Sequence, residues 1–362
     1  MQALGDPFVF RGGKASRNRV ALAALTNLQS HADGTLSDEE LAWLERRARG
    51  GFGVVTTAAS HVSRDGQGWP GQMGVFDDAL LPGLRRAAAG IDAAGSLGLV
   101  QIFHGGLRAD PAQTGQRPWS ASEGASPEGA RAATEEDLDR AICDFAAGAR
   151  RAREAGFAGV EIHGAHGYLL TQFLSRTENR RMDRWGGSLE NRQRLLLEVT
   201  RAVRAATPAP FIVGVRISPE DFGNARGLDL DESLDTARAL VGAGIDFLHL
   251  SLWDTSRRTT KRPERHALEE FRSVVPADVA LFVAGKVWTR ADADVCFSLG
   301  ADVVALGRSA IANPDWPLHA AEPGWEPRRP PLSPAELIAG GVSPRFVRYL
   351  RNWKNFVEET AG

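Results

Sequence analysis

Cysteine, tyrosine, lysine and long apolar runs are all scarce in this chain, and each shortage removes a class of function. Only Cys143 and Cys296 occur in 362 residues. They are too few and too far apart for a disulfide framework, a Cys-rich zinc site or an iron–sulfur cluster held by four thiolates of one chain. Such sparing use fits a cytoplasmic setting. Four lysines, Lys14, Lys261, Lys286 and Lys354, leave few candidates for a Schiff base, and of these only Lys286 stands at a predicted strand end. No apolar run approaches the ~20 residues of a membrane span. The first ten residues, with Asp6 and Pro7, lack the basic start and apolar stretch of a secretory signal. Charge of one sign is lacking too. The 43 basic and 45 acidic residues leave a formal net charge of −2, so no positive field argues for nucleic acid or an anionic membrane. A small molecule is the expected partner.

What the chain has in quantity is a rhythm. Eight apolar runs of strand length, 18–25, 54–60, 97–104, 160–163, 211–218, 247–252, 280–287 and 302–308, alternate with helix-length segments. Continuous rather than alternating apolar character predicts strands covered on both faces. Helix starts are marked by Ser37 with Glu40 three residues on, a capping-box pattern, and by Thr134 before Glu135-Glu136-Asp137; Gly156 stops the second helix. Eight βα units predict an α/β fold of one domain over 1–362, a (β/α)8 TIM barrel with its core at about 18–320, ahead of a doubly wound open sheet. The surplus length lies in two loops, 108–133 and 253–266, expected to overhang the C-terminal rim, and in an extension over about 321–362. Within that extension, 344–359 reads as a helix whose Phe346, Tyr349, Leu350, Trp353 and Phe356 share one face. The face is free either to cover the barrel or to pair with a second subunit in a homo-oligomer.

The rare residues converge on one strand end. Tyr168 is one of only two tyrosines, and it follows His163 and His166 at the end of the fourth run. In a parallel barrel this is the rim where catalytic groups gather. A zinc site is disfavoured, since no third ligand has a suitable spacing and no glutamate separates the histidines as in HExxH; no metal is expected. Core packing suits these residues poorly just after Gly164. Paired imidazoles can instead donate to one substrate oxygen while a phenol supplies a proton. Gln101 and Arg216 are polar groups inside otherwise apolar strands. An unpartnered buried guanidinium is costly, so Arg216 should meet an anion, an electron-rich ring or a carboxylate. Gln101, which both donates and accepts, suits the edge of a heteroaromatic ring. The last two strands end in Gly285-Lys286 and Gly307-Arg308, where barrels commonly bind a phosphate.

Taken in order, the chain resembles the Old Yellow Enzyme family of FMN-dependent ene-reductases over essentially its full length. The resemblance rests on Asn18-Arg19-Val20, Gln101 with His104-Gly105-Gly106, the core from His163 to Tyr168 and its continuation Leu170-Thr171-Gln172-Phe173-Leu174-Ser175. It goes on through Asn179-Arg180-Arg181, Asp183, the run Gly186-Gly187-Ser188-Leu189-Glu190-Asn191-Arg192, Arg216 and Gly307-Arg308. It implies FMN at the C-terminal mouth, with Gln101 and Arg216 at the flavin pyrimidine and Gly285, Gly307 and Arg308 at the phosphate. Ala59 and the segment Ala23, Ala24, Leu25 and Thr26 would lie against the isoalloxazine, Thr26 beside its O4. His163 and His166 would bind the substrate's activating group and Tyr168 would protonate the carbon alpha to it, after NADPH or NADH has reduced the flavin at the same site. The substrate implied is an alkene conjugated to a carbonyl or nitro group. Ala24 stands where many relatives have proline, and Leu28 where one branch has a substrate-binding tyrosine. The missing cysteine cluster argues against the longer dienoyl-CoA reductase relatives. The resemblance also raises a C-terminal helix, with Arg351 and Trp353, that reaches a neighbouring subunit. Beside it stand a related flavin oxidoreductase acting on nitro or other xenobiotic substrates or running as a dehydrogenase, a flavin-free phosphate-binding lyase or isomerase, and a flavin-binding module serving a partner protein.

Overall fold

All eight apolar runs form strands in the computed structural model, which describes residues 4–124 and 129–359. The strands are β1 (Val20–Leu22), β2 (Val54–Thr56), β3 (Leu97–Phe103), β4 (Gly159–Gly164), β5 (Ile212–Ile217), β6 (Phe247–Ser251), β7 (Ala280–Ala284) and β8 (Val303–Leu306). They pair in parallel in sequence order, β8 closes on β1, and the ring is complete: a (β/α)8 barrel. The strands are shorter than several of the runs. The first run keeps three residues in the ladder and the seventh stops at Ala284, because the chain peels away at the C-terminal rim to build loops.

One end of the barrel is sealed. The hairpin Phe8–Val9 with Ala15–Ser16 brings Phe10 to 6.3 Å from Phe247 and 6.1 Å from Phe282, and these two rings stack at 4.5 Å inside the barrel. Gly214 of β5 makes the room, since a Cβ there would stand 2.1 Å from the Phe247 ring. A ligand must therefore enter from the C-terminal end of the strands.

Eight helices form the outer ring: α1 (Asp38–Arg49), α2 (Leu81–Ala93), α3 (Glu135–Glu154), α4 (Arg194–Ala206), α5 (Leu230–Gly242), α6 (Ala267–Arg272), α7 (Arg290–Ser298) and α8 (Arg308–Ala312). At Thr134 the capping box is complete: Thr134 Oγ1 accepts from the Asp137 amide and Asp137 accepts from the Thr134 amide. At Ser37 only half of it forms. Ser37 Oγ accepts from the Glu40 amide at 3.1 Å, but the Glu40 carboxylate turns inward and accepts from Asn27 and Ser30, so this residue serves the core rather than the cap.

The extension is less helical than its pattern predicts. Helix α9 covers only Pro344–Leu350, and turns carry the chain on to Phe356. Its apolar face lies on its own barrel: Phe346 meets Trp43 of α1 at 5.1 Å, and Tyr349, Trp353 and Phe356 continue edge to face at 5.9 and 5.4 Å. The 108–133 loop carries a short helix, Pro111–Thr114, and the pairing of Trp119–Ser120 with Arg131–Ala132; its residues 125–128 lie outside the described ones. No helix among the described residues is long and apolar enough to cross a membrane.

Candidate active site

Four consecutive strands, β3 to β6, place a polar layer in the open half of the barrel. Register sets Gln101 opposite Glu161, and Arg216 opposite both His163 and His249. All five are buried. Glu161 holds the layer together. Its carboxylate accepts from Gln101 Nε2 at 2.6 Å through one oxygen and meets His249 Nδ1 at 2.6 Å through the other. Burial pushes this carboxyl up, but His249, Arg216 and Gln101 outweigh burial and hold it at about 2. A buried anion thus faces a buried guanidinium, the arrangement that makes such burial tolerable. With Gln101 Nε2 committed to Glu161, its Oε1 remains as an acceptor. Arg216 donates from Nη2 to Ser251 Oγ at 3.1 Å, while its Nε is buried with no partner among the described residues.

Above this layer the histidines form a chain rather than a parallel pair. The Ala165 amide donates to His163 Nδ1 at 3.2 Å, which assigns the proton to His163 Nε2. That nitrogen lies 3.3 Å from His166 Nδ1, and His166 Nε2 is 2.7 Å from Ser251 Oγ. Burial first, then Arg216, depresses His163 to about 3 and His166 well below the usual imidazole range, so both are neutral and each has one N–H to give. Tyr168 caps the next helix, Leu169–Leu174, and its ring packs edge to face on Phe103 at 4.5 Å and His163 at 5.1 Å. The turn that delivers it needs two left-handed residues, His166 at φ 62° and Gly167 at φ 74°; a Cβ on Gly167 would also strike the Asn224 carbonyl at 2.2 Å. Leu28, Trp253 and Lys286, just past β1, β6 and β7, are left-handed as well. Such residues cost about 1–3 kcal/mol each and persist where the surroundings demand them.

The far side of the mouth has the character of an anion cradle. Gly285 packs against the Trp253–Thr255 backbone, where a Cβ would approach Asp254 N to 2.9 Å, and Gly307 precedes α8. Arg308 forms no salt bridge among the described residues and lies 5.4 Å from the Trp253 ring centroid. Lys286 is instead tied to Asp254 at 2.9 Å, which removes it as a free amine for Schiff-base chemistry. Much of the basic loop is neutralised too: Lys261 pairs with Asp229 and Asp231, and Arg265 with Glu270. No group of His, Cys, Asp and Glu among the described residues could hold a metal ion.

A family model described as "NADH:flavin oxidoreductase / NADH oxidase family" matches residues 4–323. The chain belongs to this family. It is 37% identical over 328 residues to the Bacillus subtilis protein named "Probable NADH-dependent flavin oxidoreductase YqiG", spanning 88% of each chain. It is 36% identical over 331 residues to the NADH:fumarate oxidoreductase of Klebsiella pneumoniae; this match takes 87% of the present chain but only 36% of that longer protein. Among solved structures, the old yellow enzyme homologue from Zymomonas mobilis superposes with a TM-score of 0.83 at 27% identity, covering 95% of this chain and 98% of that one. The protein is thus an FMN-dependent, nicotinamide-using flavin oxidoreductase of the old yellow enzyme type.

The residues present fit FMN. Arg216 Nε is a buried donor without a partner among the described residues, Gln101 Oε1 is an acceptor left over, and the Gly307 end of α8 with Arg308 suits a phosphate. Ala23 and Ala59 are buried, while Ala24, Leu25 and Thr26 follow β1 at the rim, partly exposed. No hydrogen bond within the described protein uses the Thr26 hydroxyl, and Leu25 lies beside Gly307. The predicted site residues are therefore gathered at one end of the barrel. Four participants escaped prediction: the Glu161 and His249 pair, Ser251, and Arg108, whose guanidinium lies 4.3 Å from the Tyr168 ring centroid. His249 carried a usable signal, being a polar residue in an apolar strand like Gln101 and Arg216.

Proposed function

We propose that this chain reduces carbon–carbon double bonds conjugated to a carbonyl or nitro group. The observation that carries this reading is the placement of Tyr168 on the rim against His163, above a floor built from Gln101 and Arg216. Bound FMN supplies two-electron hydride chemistry, charged by NADH or NADPH. The protein's own part begins with the substrate oxygen. It would replace His166 Nδ1 as the acceptor for His163 Nε2–H and Ser251 as the acceptor for His166 Nε2–H, turning a serial chain into two convergent donors. Ser251 keeps its bond from Arg216 meanwhile. Two neutral donors pull electron density from the double bond and make its β carbon the hydride acceptor. The electron pair left at the α carbon takes the Tyr168 proton: an O–H bond breaks, a C–H bond forms, and the phenolate recovers a proton from water. General acids of this kind contribute about 10²- to 10⁴-fold.

Tyr168→Phe tests the assignment in two half-reactions followed by flavin absorbance. Reduction of the flavin by NADH or NADPH should stay within a factor of about two. Its reoxidation by an enone should slow by about 10²-fold or more. Equal losses in both halves would discard the proton-donor role, and a preparation that neither carries nor takes up flavin would discard the reading altogether.

A further inference from the structure

Arg108 has no carboxylate partner among the described residues, yet three groups hold it in place. It lies on the turn after β3, and its Nη1 donates to the His166 carbonyl at 2.8 Å. Its guanidinium covers the Tyr168 ring at 4.3 Å. From the other side Asn224, with its amide oriented to present Oδ1, accepts from Nη2 at 2.9 Å and Nη1 at 3.3 Å. Arg108 forms no salt bridge among the described residues. An anion that feels it is Glu178, a half-buried carboxylate whose Oε2 is buried without a partner among the described residues. Burial pushes Glu178 up to about 7 against the opposing pull of Arg108 and Arg226, so near neutral pH it is only partly ionised and balances the Arg108 charge only in part.

We propose that Arg108 is a positioning residue for proton delivery: it clamps the His166 backbone and the Tyr168 ring in one frame and stabilises the phenolate that remains when Tyr168 has given up its proton. The proposal rests on Tyr168 as the proton donor. Once the proton leaves, a negative charge is stranded beside Phe103 and a neutral His163, neither of which can balance it, and an uncompensated buried anion is expensive. The guanidinium turns from a cation over a neutral ring into one half of an ion pair, so its interaction strengthens as the proton moves. The groups that face the phenol bear this out in sign: burial raises it, Arg108 opposes that rise, and Tyr349 of α9 adds to it.

The chain's scarcity of tyrosine makes the test direct. Tyr349→Phe leaves Tyr168 as the sole tyrosine, so in FMN-loaded protein carrying tyrosine labelled with ¹³C at Cζ, one resonance reports its ionisation. In that background Arg108→Met should raise the Tyr168 midpoint by about one pH unit and slow reoxidation by a cyclic enone about tenfold, the loss of one pKa unit of stabilisation. Flavin reduction by the nicotinamide should be nearly unchanged. Arg108→Lys, which keeps the charge, should recover most of both effects. Asn224→Ala, on an exposed loop, should move the midpoint the same way by less and serves if Arg108→Met does not fold. A Tyr168 midpoint unmoved in these variants, with Tyr168→Phe still slow, would overturn the Arg108 proposal alone. Wild-type reoxidation by Tyr168→Phe would overturn the donor reading beneath it.

Discussion

Replacing Glu161 by alanine should destabilise this protein more than almost any other single polar change. The substitution strips the partner from Gln101 Nε2 and His249 Nδ1 and removes the negative charge opposite Arg216, all in a buried layer. Breaking a buried ionic network by deleting one member costs roughly 3–5 kcal/mol, because the groups left behind stay desolvated. Linkage gives a second route to the size. A carboxyl held at about 2 instead of its ordinary 4.5 contributes on the order of 3 kcal/mol. Since its folded value is depressed, that stability is present above about pH 4.5 and is lost as pH falls towards 2. The two routes agree. With an unfolding entropy of about 2 cal/mol/K per residue, a loss of this size lowers the melting temperature of a chain this long by about 4–7 °C.

The assay is thermal unfolding of the FMN-loaded protein followed by circular dichroism at pH 7, with free FMN fixed because ligand itself shifts the midpoint. Glu161→Gln separates shape from charge: its amide oxygen can still accept from Gln101, so it should lose less than Glu161→Ala. His249→Phe should cost less in the Glu161→Ala background than alone, since the two residues share one interaction. A Glu161→Ala protein that melts within about 1 °C of the parent and binds FMN equally well would refute the account of this layer.

Two further outcomes follow from groups on either side of it. Burial depresses His61 to about 4, His163 to about 3 and His166 well below its ordinary value, so the unfolded chain takes up these protons near pH 6.5 while the native state does not. Their contribution is complete above pH 6.5 and falls with pH. Three such imidazoles lose about 4 kcal/mol for each pH unit below about 6, so urea midpoints should drop steeply between pH 6 and 5, and a flat profile would contradict their neutral burial. Thr26→Ala should lower the flavin midpoint potential by about 20 mV, the worth of one neutral hydrogen bond of about 1 kcal/mol in a two-electron couple. Equilibration with a reference dye reads this directly, and an unchanged potential would remove Thr26 from the flavin.

The barrel could be read from the chain because its strands are buried on both faces, and burial on both faces writes an unbroken apolar run. Strand ends were less visible, since Ala23 to Leu25 is as apolar as β1 and yet belongs to the rim. The same physics misled at 344–359, where aromatic spacing continues past Leu350 although turns, not a helix, present Trp353 and Phe356 to the barrel. Glu40 shows a different limit. Its spacing from Ser37 satisfies the capping pattern, but a nearby buried Asn27 and Ser30 compete for the carboxylate and win, and nothing within four residues announces that.

The site divides along the same line. Gln101 and Arg216 were visible because a polar residue in an apolar strand must have a use, whatever its neighbours are, and the two histidines because a scarce residue type gathers at the end of one strand. What such a residue pairs with depends on register between strands, and that is a property of the closed ring. Glu161 and His249 are 88 positions apart, and they meet only because β4, β5 and β6 align Glu161 with Gly214, and His249 with Arg216. Once a parallel barrel is expected, polar residues in adjacent strands should therefore be considered as a set whose charges must sum to something a buried layer tolerates. By that rule Arg216 alone calls for an anion on a neighbouring strand, and Glu161, two residues before His163 and so on the same face of β4, is the residue that answers. Arg108 obeys no such rule. It sits on a loop turn, and only the folded position of Tyr168 gives its charge a purpose.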